Sequence, residues 1–185
     1  SNVKRNDICV NVVGINHFTW FTQAHYRNID LFEIYREFVD KYYEGGYTNG
    51  GRDHWMNNSF MSTERVKFDL FKRFGYIAAA GDRHLAEFMD KEDYLESPEC
   101  VRKWQFGLTN ISWRRADLEK RMSRSKKLLS GEEQFKLRET GEEGVMQMHA
   151  LLGLSKMVTN MNIPNVGQIP NLPLGTIVET NASLM

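Results

Sequence analysis

Two short polar segments carry the residue types from which a binding or catalytic site could be built. In the first, Asn16 and His17 closely follow Gly14 at the end of an apolar run. A neutral imidazole can ligate a transition metal, and an asparagine amide can both donate to and accept from a sugar hydroxyl. A single histidine with no partner at metal-ligand spacing is, taken alone, more simply explained as a satisfied core histidine.

The second segment places three ionisable residues side by side. Asp82, Arg83 and His84 follow the small-residue run of residues 76–81, and Glu87 comes three positions later. A carboxylate beside a guanidinium normally forms an ion pair, which is the structural interpretation. In the functional interpretation Asp82 is a base and Arg83 binds a substrate carboxylate, because the planar guanidinium can donate two parallel hydrogen bonds.

Other polar residues carry weaker signals. Glu142 and Glu143 precede an apolar segment and are most simply first-turn acids that a helix dipole favours. His25, His54 and His149 have no partner that spacing identifies. The sequence contains no G-x-G-x-x-G after a strand, no P-loop, no H-E-x-x-H and no G-x-S-x-G. It therefore has no self-sufficient catalytic or nucleotide signature of those kinds.

Length and composition predict one globular domain over residues 1–185, with 41 % hydrophobic residues available for a core. The 24 basic and 24 acidic residues balance, which argues against nucleic acid or an anionic membrane as partner. Cys9 and Cys100 form neither a disulfide framework nor a zinc motif, so a reduced, cytoplasmic setting is expected. Neither a membrane span nor a signal peptide is expected from the apolar pattern.

Apolar periodicity in the first half predicts the elements that must position these residues. A strand over residues 8–14 leads into Gly14, and residues 15–21 are strand or loop. A helix over residues 31–43 begins at a capping box formed by Asp30 and Glu33. A flexible glycine-rich loop follows at residues 45–51. A second helix runs from about Ser62 to Phe74, ends at Gly75 and turns one side inward, namely Val66, Leu70, Phe71 and Phe74.

The second half is predicted to be helical and then extended. Residues 114–129 form a basic amphipathic helix that turns Leu118, Met122, Ser125 and Leu129 inward. Its lysines and arginines are most simply a solvated face. Residues 142–158 are apolar on nearly every side, which is typical of a helix buried in a core or in a dimer interface. Turn signals fill residues 162–173, and residues 177–180 form a closing strand.

Three segments together resemble one enzyme family. Residues 14–21, GINHFTWF, resemble the G-[IL]-N-H-x-[TA]-W motif of glycoside hydrolase family four, the NAD- and metal-dependent glycosidases. Residues 74–88 agree in order and spacing, as do residues 141–144 followed by 162–165 and 169–173. The resemblance spans nearly the whole chain. Within the family, AAGDRHLAEF at residues 79–88 is similar to the α-galacturonidase branch, whose members are often labelled α-glucosidases.

The resemblance implies a reaction that differs from the two-carboxylate scheme of most glycosidases. In this family NAD oxidises the sugar C3 hydroxyl and so acidifies the C2 proton. A base removes that proton, the aglycone is eliminated, water adds to the enone, and the hydride returns to C3. A divalent metal, usually manganese, binds the sugar hydroxyls and stabilises the enolate as a Lewis acid.

The resemblance also implies roles for individual residues. His17 matches the metal-ligand histidine of the family, and Asn16 matches the asparagine that contacts the sugar. Asp82 falls where relatives place the base that removes the C2 proton, a tyrosine in phospho-glycosidases and an acid in some α-glucosidases. We expect Arg83 to face the substrate carboxylate. The further candidates are His84 and Asn171 as substrate-binding residues and Glu143 in the pocket wall.

The sequence departs from the family in two respects. Family members begin with a dinucleotide-binding domain that includes G-x-G-x-x-G, and a cysteine that is the second metal ligand lies some way before the G-[IL]-N-H motif. Neither feature is present in this sequence. Cys9 is only eight positions before His17 and inside the predicted strand, so we do not assign it as that ligand. We therefore expect a fragment, the carboxy-terminal domain without its Rossmann partner and without the final helix region. Alone it should neither bind NAD tightly nor turn over a glycoside.

These observations predict an α+β domain similar to the carboxy-terminal domain of lactate and malate dehydrogenases, with a small antiparallel or mixed sheet flanked by four or five helices. The full-length protein is expected to hydrolyse α-galacturonosides, to use NAD and manganese, and to form a homodimer or larger homo-oligomer. The alternatives within the family are α-glucosidase and α-galactosidase activity. Two alternatives come from other functional classes. One is a non-catalytic dimerisation or interaction domain, and the other is a dehydrogenase of small 2-hydroxy acids, which would need no metal.

Overall fold

The computed structural model describes residues 3–4, 7–48, 61–138 and 141–184. The chain divides into two compact units. The first unit consists of Ser1–Gly107 and Val158–Leu184, and the second consists of Leu108–Met157. No helix in the described ranges is long and apolar enough to cross a membrane.

The elements follow one another in a mixed order. The first part of the chain contains β1 (Ile8–Ile15), β2 (Phe18–Tyr26), β3 (Ile29–Asp30), α1 (Leu31–Tyr42), α2 (Arg65–Phe74), β4 (Ile77–Ala78), α3 (Asp82–Phe88), α4 (Lys91–Tyr94) and α5 (Pro98–Trp104). The second unit contributes α6 (Ile111–Ser130) and α7 (Gly144–Leu151). The chain then returns to the sheet with β5 (Met157–Pro164) and β6 (Ile177–Leu184).

An open sheet organises the first unit. Its strands lie in the order β3-β2-β1-β6-β5, and β4 also pairs with β2. The pairs β1–β2, β1–β6, β2–β3 and β2–β4 are all antiparallel. Strands and helices that alternate irregularly around an antiparallel sheet define the α+β class, which confirms the prediction.

Helix α1 begins and α2 ends as the local sequence predicts. The Asp30 carboxylate accepts a hydrogen bond from the Phe32 N–H at 2.9 Å and so caps α1. At the other helix, Gly75 adopts a left-handed conformation (φ 76°), and its N–H donates to the Phe71 carbonyl.

The predicted start of α2 is wrong by three residues. Ser62 instead forms an isolated bridge with Phe106, and the Thr63 N–H donates to the Gln105 carbonyl. Glu64 then has a left-handed backbone (φ 61°), so regular helix begins only at Arg65. Cross-chain pairing of residues 62 and 63 therefore replaces the first predicted turn.

Two hydrophobic clusters lie on different sides of α2. Val66 and Leu70 belong to the first cluster, which also contains Ala78, Leu85, Ala86, Tyr94 and Phe106. Phe68 and Phe71 belong to the second, which is built with Val39 and several aromatic residues of α1. The prediction that Phe74 also faces inward is wrong, because this residue is 46 % exposed. Helix α2 is thus the shared wall of both clusters.

Helix α6 corrects a second prediction. The inward orientation of Leu118, Met122, Ser125 and Leu129 is wrong: the three apolar residues are 56 %, 53 % and 89 % exposed, and Ser125 is exposed as well. A buried helical face needs an apolar stripe more than about 100° wide, whereas one apolar residue per turn among lysines and arginines gives a narrow one. The prediction that the lysines and arginines of α6 form a solvated face is confirmed, because all of them are exposed.

Helix α7 is shorter than predicted and is not buried in the core. It covers Gly144–Leu151 and not residues 142–158, because Gly153 turns the chain with φ 73° and β5 starts at Met157. Of its apolar residues only Ala150 is buried, and Val145 is 74 % exposed. Burial in the core of this chain is therefore wrong for most of α7. Burial in an interface stays a prediction.

A single buried asparagine organises the connection between β5 and β6. The Asn165 amide donates to the carbonyls of Ile169, Leu172 and Pro173 at 2.9–3.2 Å. Its Oδ1 accepts from the N–H groups of Gly167 and Ile169. These bonds fix the turns that the sequence predicts after residue 162. The other predicted loop, at residues 45–51, lies partly outside the described residues. His54 lies outside them altogether.

Candidate functional site

The β1–β2 hairpin places Asn16 and His17 at its tip. Ile15 pairs with Phe18, so these two residues alone form the connection. Gly14 makes the tight hairpin possible: a Cβ built there would lie 2.4 Å from the Phe18 carbonyl oxygen. The glycine of the motif is therefore required by a close approach of backbones.

His17 has an uncommon backbone conformation at this tip. Its φ is +66°, in the left-handed region that residues with a Cβ adopt rarely. Both Asn16 and His17 are exposed to solvent. Such conformations cost on the order of 1 kcal/mol or more and cluster at binding sites, so the geometry favours a functional role for this side chain.

Strand β4 brings the second polar segment to the same place. Trp20 pairs with Ala78, and the Ala79 N–H donates to the Thr19 carbonyl at 2.9 Å. Because the strands are antiparallel, moving from Trp20 back towards the hairpin tip corresponds to moving from Ala78 forward towards α3. Helix α3 consequently begins beside the Asn16–His17 turn.

The structure brings His17 and His84 into contact. Their imidazole centroids are 5.2 Å apart, with ring planes tilted by 45°. His84 Nδ1 also lies 3.6 Å from Glu87 Oε2, one helical turn away. Aromatic contacts between Phe18 and Phe88, with centroids at 4.9 Å, pack the hairpin against the end of α3. The sequence did not reveal the histidine pair, because the residues are 67 positions apart.

Asp82 is buried and has a defined structural role. Its carboxylate oxygens accept hydrogen bonds from the N–H groups of Val66 and Lys67 at 3.3 and 3.1 Å. These are first-turn donors of α2, whose own N-cap residue, Glu64, supplies no side-chain cap. Burial and the nearby charge of Glu64 raise the pKa of Asp82 to about 7. The carboxylate of α3 thus caps α2.

The other candidates occupy separate positions. Arg83 is half-buried, one residue into α3. Asn171 is exposed in the β5–β6 connection, and the pairing of Gly14 with Glu179 places that connection at the same end of the sheet as the hairpin tip. Glu143 precedes α7 in the second unit. Cys9 is exposed near the opposite end of β1, roughly 25 Å along the strand from the tip.

The donor chemistry at the hairpin tip fits a divalent cation only in part. The two imidazoles in contact, His17 and His84, supply nitrogen donors of the kind that manganese or zinc accepts. No group of three or more metal-binding side chains within the described ranges has the geometry of a complete site. Within the described ranges the hairpin tip therefore presents two nitrogen donors and no complete ligand set.

Comparison with known proteins points to one family. The profile described as the family 4 glycosyl hydrolase C-terminal domain matches residues 12–184. The α-galacturonidase of Thermoanaerobacterium saccharolyticum is 61 % identical over 181 residues, which is 98 % of this chain and 39 % of that protein. The chain therefore spans about two fifths of the length of that relative.

Solved structures give the same answer for the fold. A Bacillus subtilis protein provisionally described as a glucosidase superposes with a TM-score of 0.87 at 49 % identity, over 98 % of this chain and 41 % of that one. A 6-phospho-α-glucosidase from gut microorganisms, solved in complex with NAD and Mn²⁺, has a TM-score of 0.62 at 16 % identity and covers 99 % of this chain and 41 % of its own. At that identity the second likeness concerns the fold alone.

Proposed function

Since this chain belongs to family 4 of the glycosyl hydrolases, we propose that it is the sugar- and metal-binding part of an α-galacturonidase. The observation that carries this proposal is the 61 % identity to an α-galacturonidase over 98 % of the chain. The Asn16–His17 turn, with its strained backbone and its histidine partner, is the place where we expect the sugar to bind. The substrate class is a small-molecule glycoside.

We assign the metal, but not NAD, to residues of this chain. The cation, when bound, supplies Lewis-acid stabilisation of negative charge on the sugar, and His17 would hold it. The sequence has no G-x-G-x-x-G, so no residue here is assigned to the dinucleotide. In support of the pair of cofactors, a protein of the same fold has been solved with NAD and Mn²⁺. We expect the isolated chain neither to bind NAD tightly nor to cleave glycosides.

The polar side chains at the hairpin tip would orient the sugar. The Asn16 amide can donate to one hydroxyl and accept from another. Arg83 would bind the C6 carboxylate through its two-pronged guanidinium, which separates a galacturonoside from a neutral hexoside. Asn171 would reach the same sugar from the β5–β6 connection, which lies at this end of the sheet.

Asp82 stays our proposed base, with an additional requirement. Its pKa of about 7 suits a group that accepts a proton near neutral pH. Its carboxylate is only 1 % exposed and holds two N–H groups of α2, so it would have to leave those donors to reach a substrate. Capping and proton abstraction are therefore alternative roles that one variant, Asp82→Asn, separates.

A homo-oligomer and a cytoplasmic location also remain proposals. The support for the first is α7, on which Val145, Met148 and Leu151 are each more than half exposed. Contiguous exposed apolar residues of this kind are typical of protein interfaces. Sedimentation of the chain over a range of concentrations tests the assembly, and a monomer at every concentration would contradict it.

A chimera tests the proposed function. In the Thermoanaerobacterium saccharolyticum relative, the matching 39 % of the sequence is replaced by this chain, and hydrolysis is measured with NAD and Mn²⁺. We expect cleavage of an α-galacturonoside and no comparable cleavage of the α-glucoside or α-galactoside. A folded chimera that prefers a neutral hexoside would contradict the substrate class and favour one of the alternatives within the family.

Arg83→Gln in the same chimera tests the carboxylate contact. Removing a charge-assisted hydrogen-bond pair should lower kcat/KM for the galacturonoside by about 10- to 100-fold and leave the residual rate on the galactoside unchanged. Arg36→Gln is the matched control, because that arginine pairs with Glu33 on the exposed side of α1. Equal losses on both substrates would show that Arg83 does not recognise the carboxylate.

A further inference from the structure

We propose that His84 is a second imidazole ligand of the divalent cation, held in position by Glu87, and that it binds the metal through Nε2. The inference rests on the proposed function, because it takes His17 as the first ligand. It assigns His84 to the cation and not directly to the sugar. The observations that support it are the distance between the two rings and the proximity of the Glu87 carboxylate to Nδ1 of His84.

The ring separation is the one that a shared ion would require. A metal–nitrogen bond of about 2.1 Å places an imidazole centroid roughly 3.3 Å from the ion, and two such rings about 90° to 109° apart at the ion have centroids ~4.7 to ~5.4 Å apart. The observed separation of His17 and His84 is 5.2 Å. The tilt of 45° between the planes keeps the rings from stacking face to face. The observed separation is therefore compatible with one ion bound to both rings.

Glu87 gives the second ring a direction. Its carboxylate lies 3.6 Å from Nδ1 of His84, and the i,i+3 spacing on α3 maintains that pairing. A histidine that ligates a metal commonly donates its other ring N–H to a carboxylate, which fixes the tautomer and makes the free nitrogen more basic. A proton held at Nδ1 leaves the lone pair of His84 on Nε2. Glu87 thus lies close enough to Nδ1 that a small change of side-chain rotamer would complete this hydrogen bond and orient the ring.

The elements that carry the two histidines are held rigidly together. Gly14 permits the tight hairpin that presents His17, and β4 pairs with β2 to deliver α3. The Asp82 carboxylate then ties the first turn of α3 to the backbone of α2. Neither imidazole depends on a long loop for its position. A site built on paired strands and a capped helix holds its ligands more precisely than a loop does.

Nitrogen-15 NMR of the imidazole rings in this chain tests the assignment with Zn²⁺ as the probe. Direct coordination changes the chemical shift of the bound nitrogen strongly, and the remaining histidines serve as internal references. We expect Nε2 of His84 and one ring nitrogen of His17 to shift together, with one dissociation constant. A shift at His17 with none at His84 would overturn the inference and leave the proposed function intact.

Variants give a second, independent readout by calorimetry with Mn²⁺ and Zn²⁺. His84→Gln should weaken binding at least tenfold, and Glu87→Gln by about tenfold, the lower end of the range for the partner of a ligating histidine. His149→Gln is the matched control, because His149 is exposed and bonds Ser155 in the second unit. Circular dichroism checks that each variant is folded.

The pattern of results separates the two proposals. If His17→Ala and His84→Gln each weaken metal binding, both the proposed metal site and the assignment of His84 are supported. Weakening by His17→Ala alone rejects His84 as a ligand and keeps the metal at His17. If neither variant changes binding, the metal site of the proposed function fails together with the inference. The chimera's activity on galacturonosides then still decides whether the substrate class is right.

Discussion

Asp82 should make the stability of this chain fall as the pH rises from 5 to 8. Its carboxyl group is 1 % exposed, and its pKa rises from 3.8 to about 7 because burial and Glu64 disfavour the charge. Between these two values the folded chain binds more protons than the unfolded chain. The free energy of unfolding therefore decreases with pH in that window.

The size of the effect follows from the two pKa values. With an unfolded pKa of 3.8 and a folded pKa of about 7, the loss between pH 5 and pH 8 is up to about 3 kcal/mol. Hydrogen bonds from the Val66 and Lys67 N–H groups to the charged form oppose the rise in pKa without cancelling it. The expected effect is a large fraction of the stability of an ordinary domain.

Urea denaturation at pH 5 and pH 8 measures this difference, and Asp82→Asn removes its source. Between pH 5 and pH 8 the free energy of unfolding of the variant should fall by up to about 3 kcal/mol less than that of the wild type, because an amide does not titrate. Asp40→Asn is the control, since that carboxylate pairs with Lys72 at the surface and should keep the wild-type slope. Identical pH dependence in wild type and Asp82→Asn would refute the reasoning.

Three further substitutions test the positioning of the site. Gly14→Ala should destabilise the chain by about 2 kcal/mol and weaken Mn²⁺ binding, because its Cβ would lie 2.4 Å from the Phe18 carbonyl oxygen. Thermal melting and calorimetry measure the two effects. Gly45→Ala is the control and should cause neither, because its Cβ would meet nothing within 4 Å. Asn165→Asp should lower the free energy of unfolding, measured with urea, by about 2–4 kcal/mol, because it replaces three donated hydrogen bonds by a carboxylate that faces carbonyl oxygens. A loss as small as that of a surface asparagine substitution would contradict this. In the chimera, Asp82→Asn should abolish turnover if Asp82 is the base, and retained kcat in the folded enzyme would leave it only the capping role.

Local signals in the sequence predicted local structure well. Asp30 caps α1 and Gly75 ends α2, because caps depend on residues only a few positions apart. Strand β1 ends at Ile15, one residue after the end that the alternation predicts. The start of α2 was wrong because Ser62 pairs with Phe106, more than forty positions away, and no local pattern reveals such a partner.

Burial was harder to predict than helix type. The apolar residues of α6 were expected to face inward, and those of α7 to face a core or a dimer interface, but most of them are exposed within this chain. Periodicity indicates which residues share a face of a helix, and it does not indicate whether anything covers that face. The same limit applies to the site. Asn16 and His17 could be chosen from their motif, whereas the contact between His17 and His84 follows only from the pairing of β4 with β2.

Calorimetry of Mn²⁺ binding to this chain and to His17→Ala, with and without galacturonate, tests the central claim most directly. We expect the wild type to bind weakly, in the ~millimolar range appropriate to a partial ligand set, and more tightly when galacturonate is present. His17→Ala should abolish that binding. Equal binding of Mn²⁺ by the two proteins, with no effect of galacturonate, would contradict the assignment of the hairpin tip as the site of the metal and the sugar.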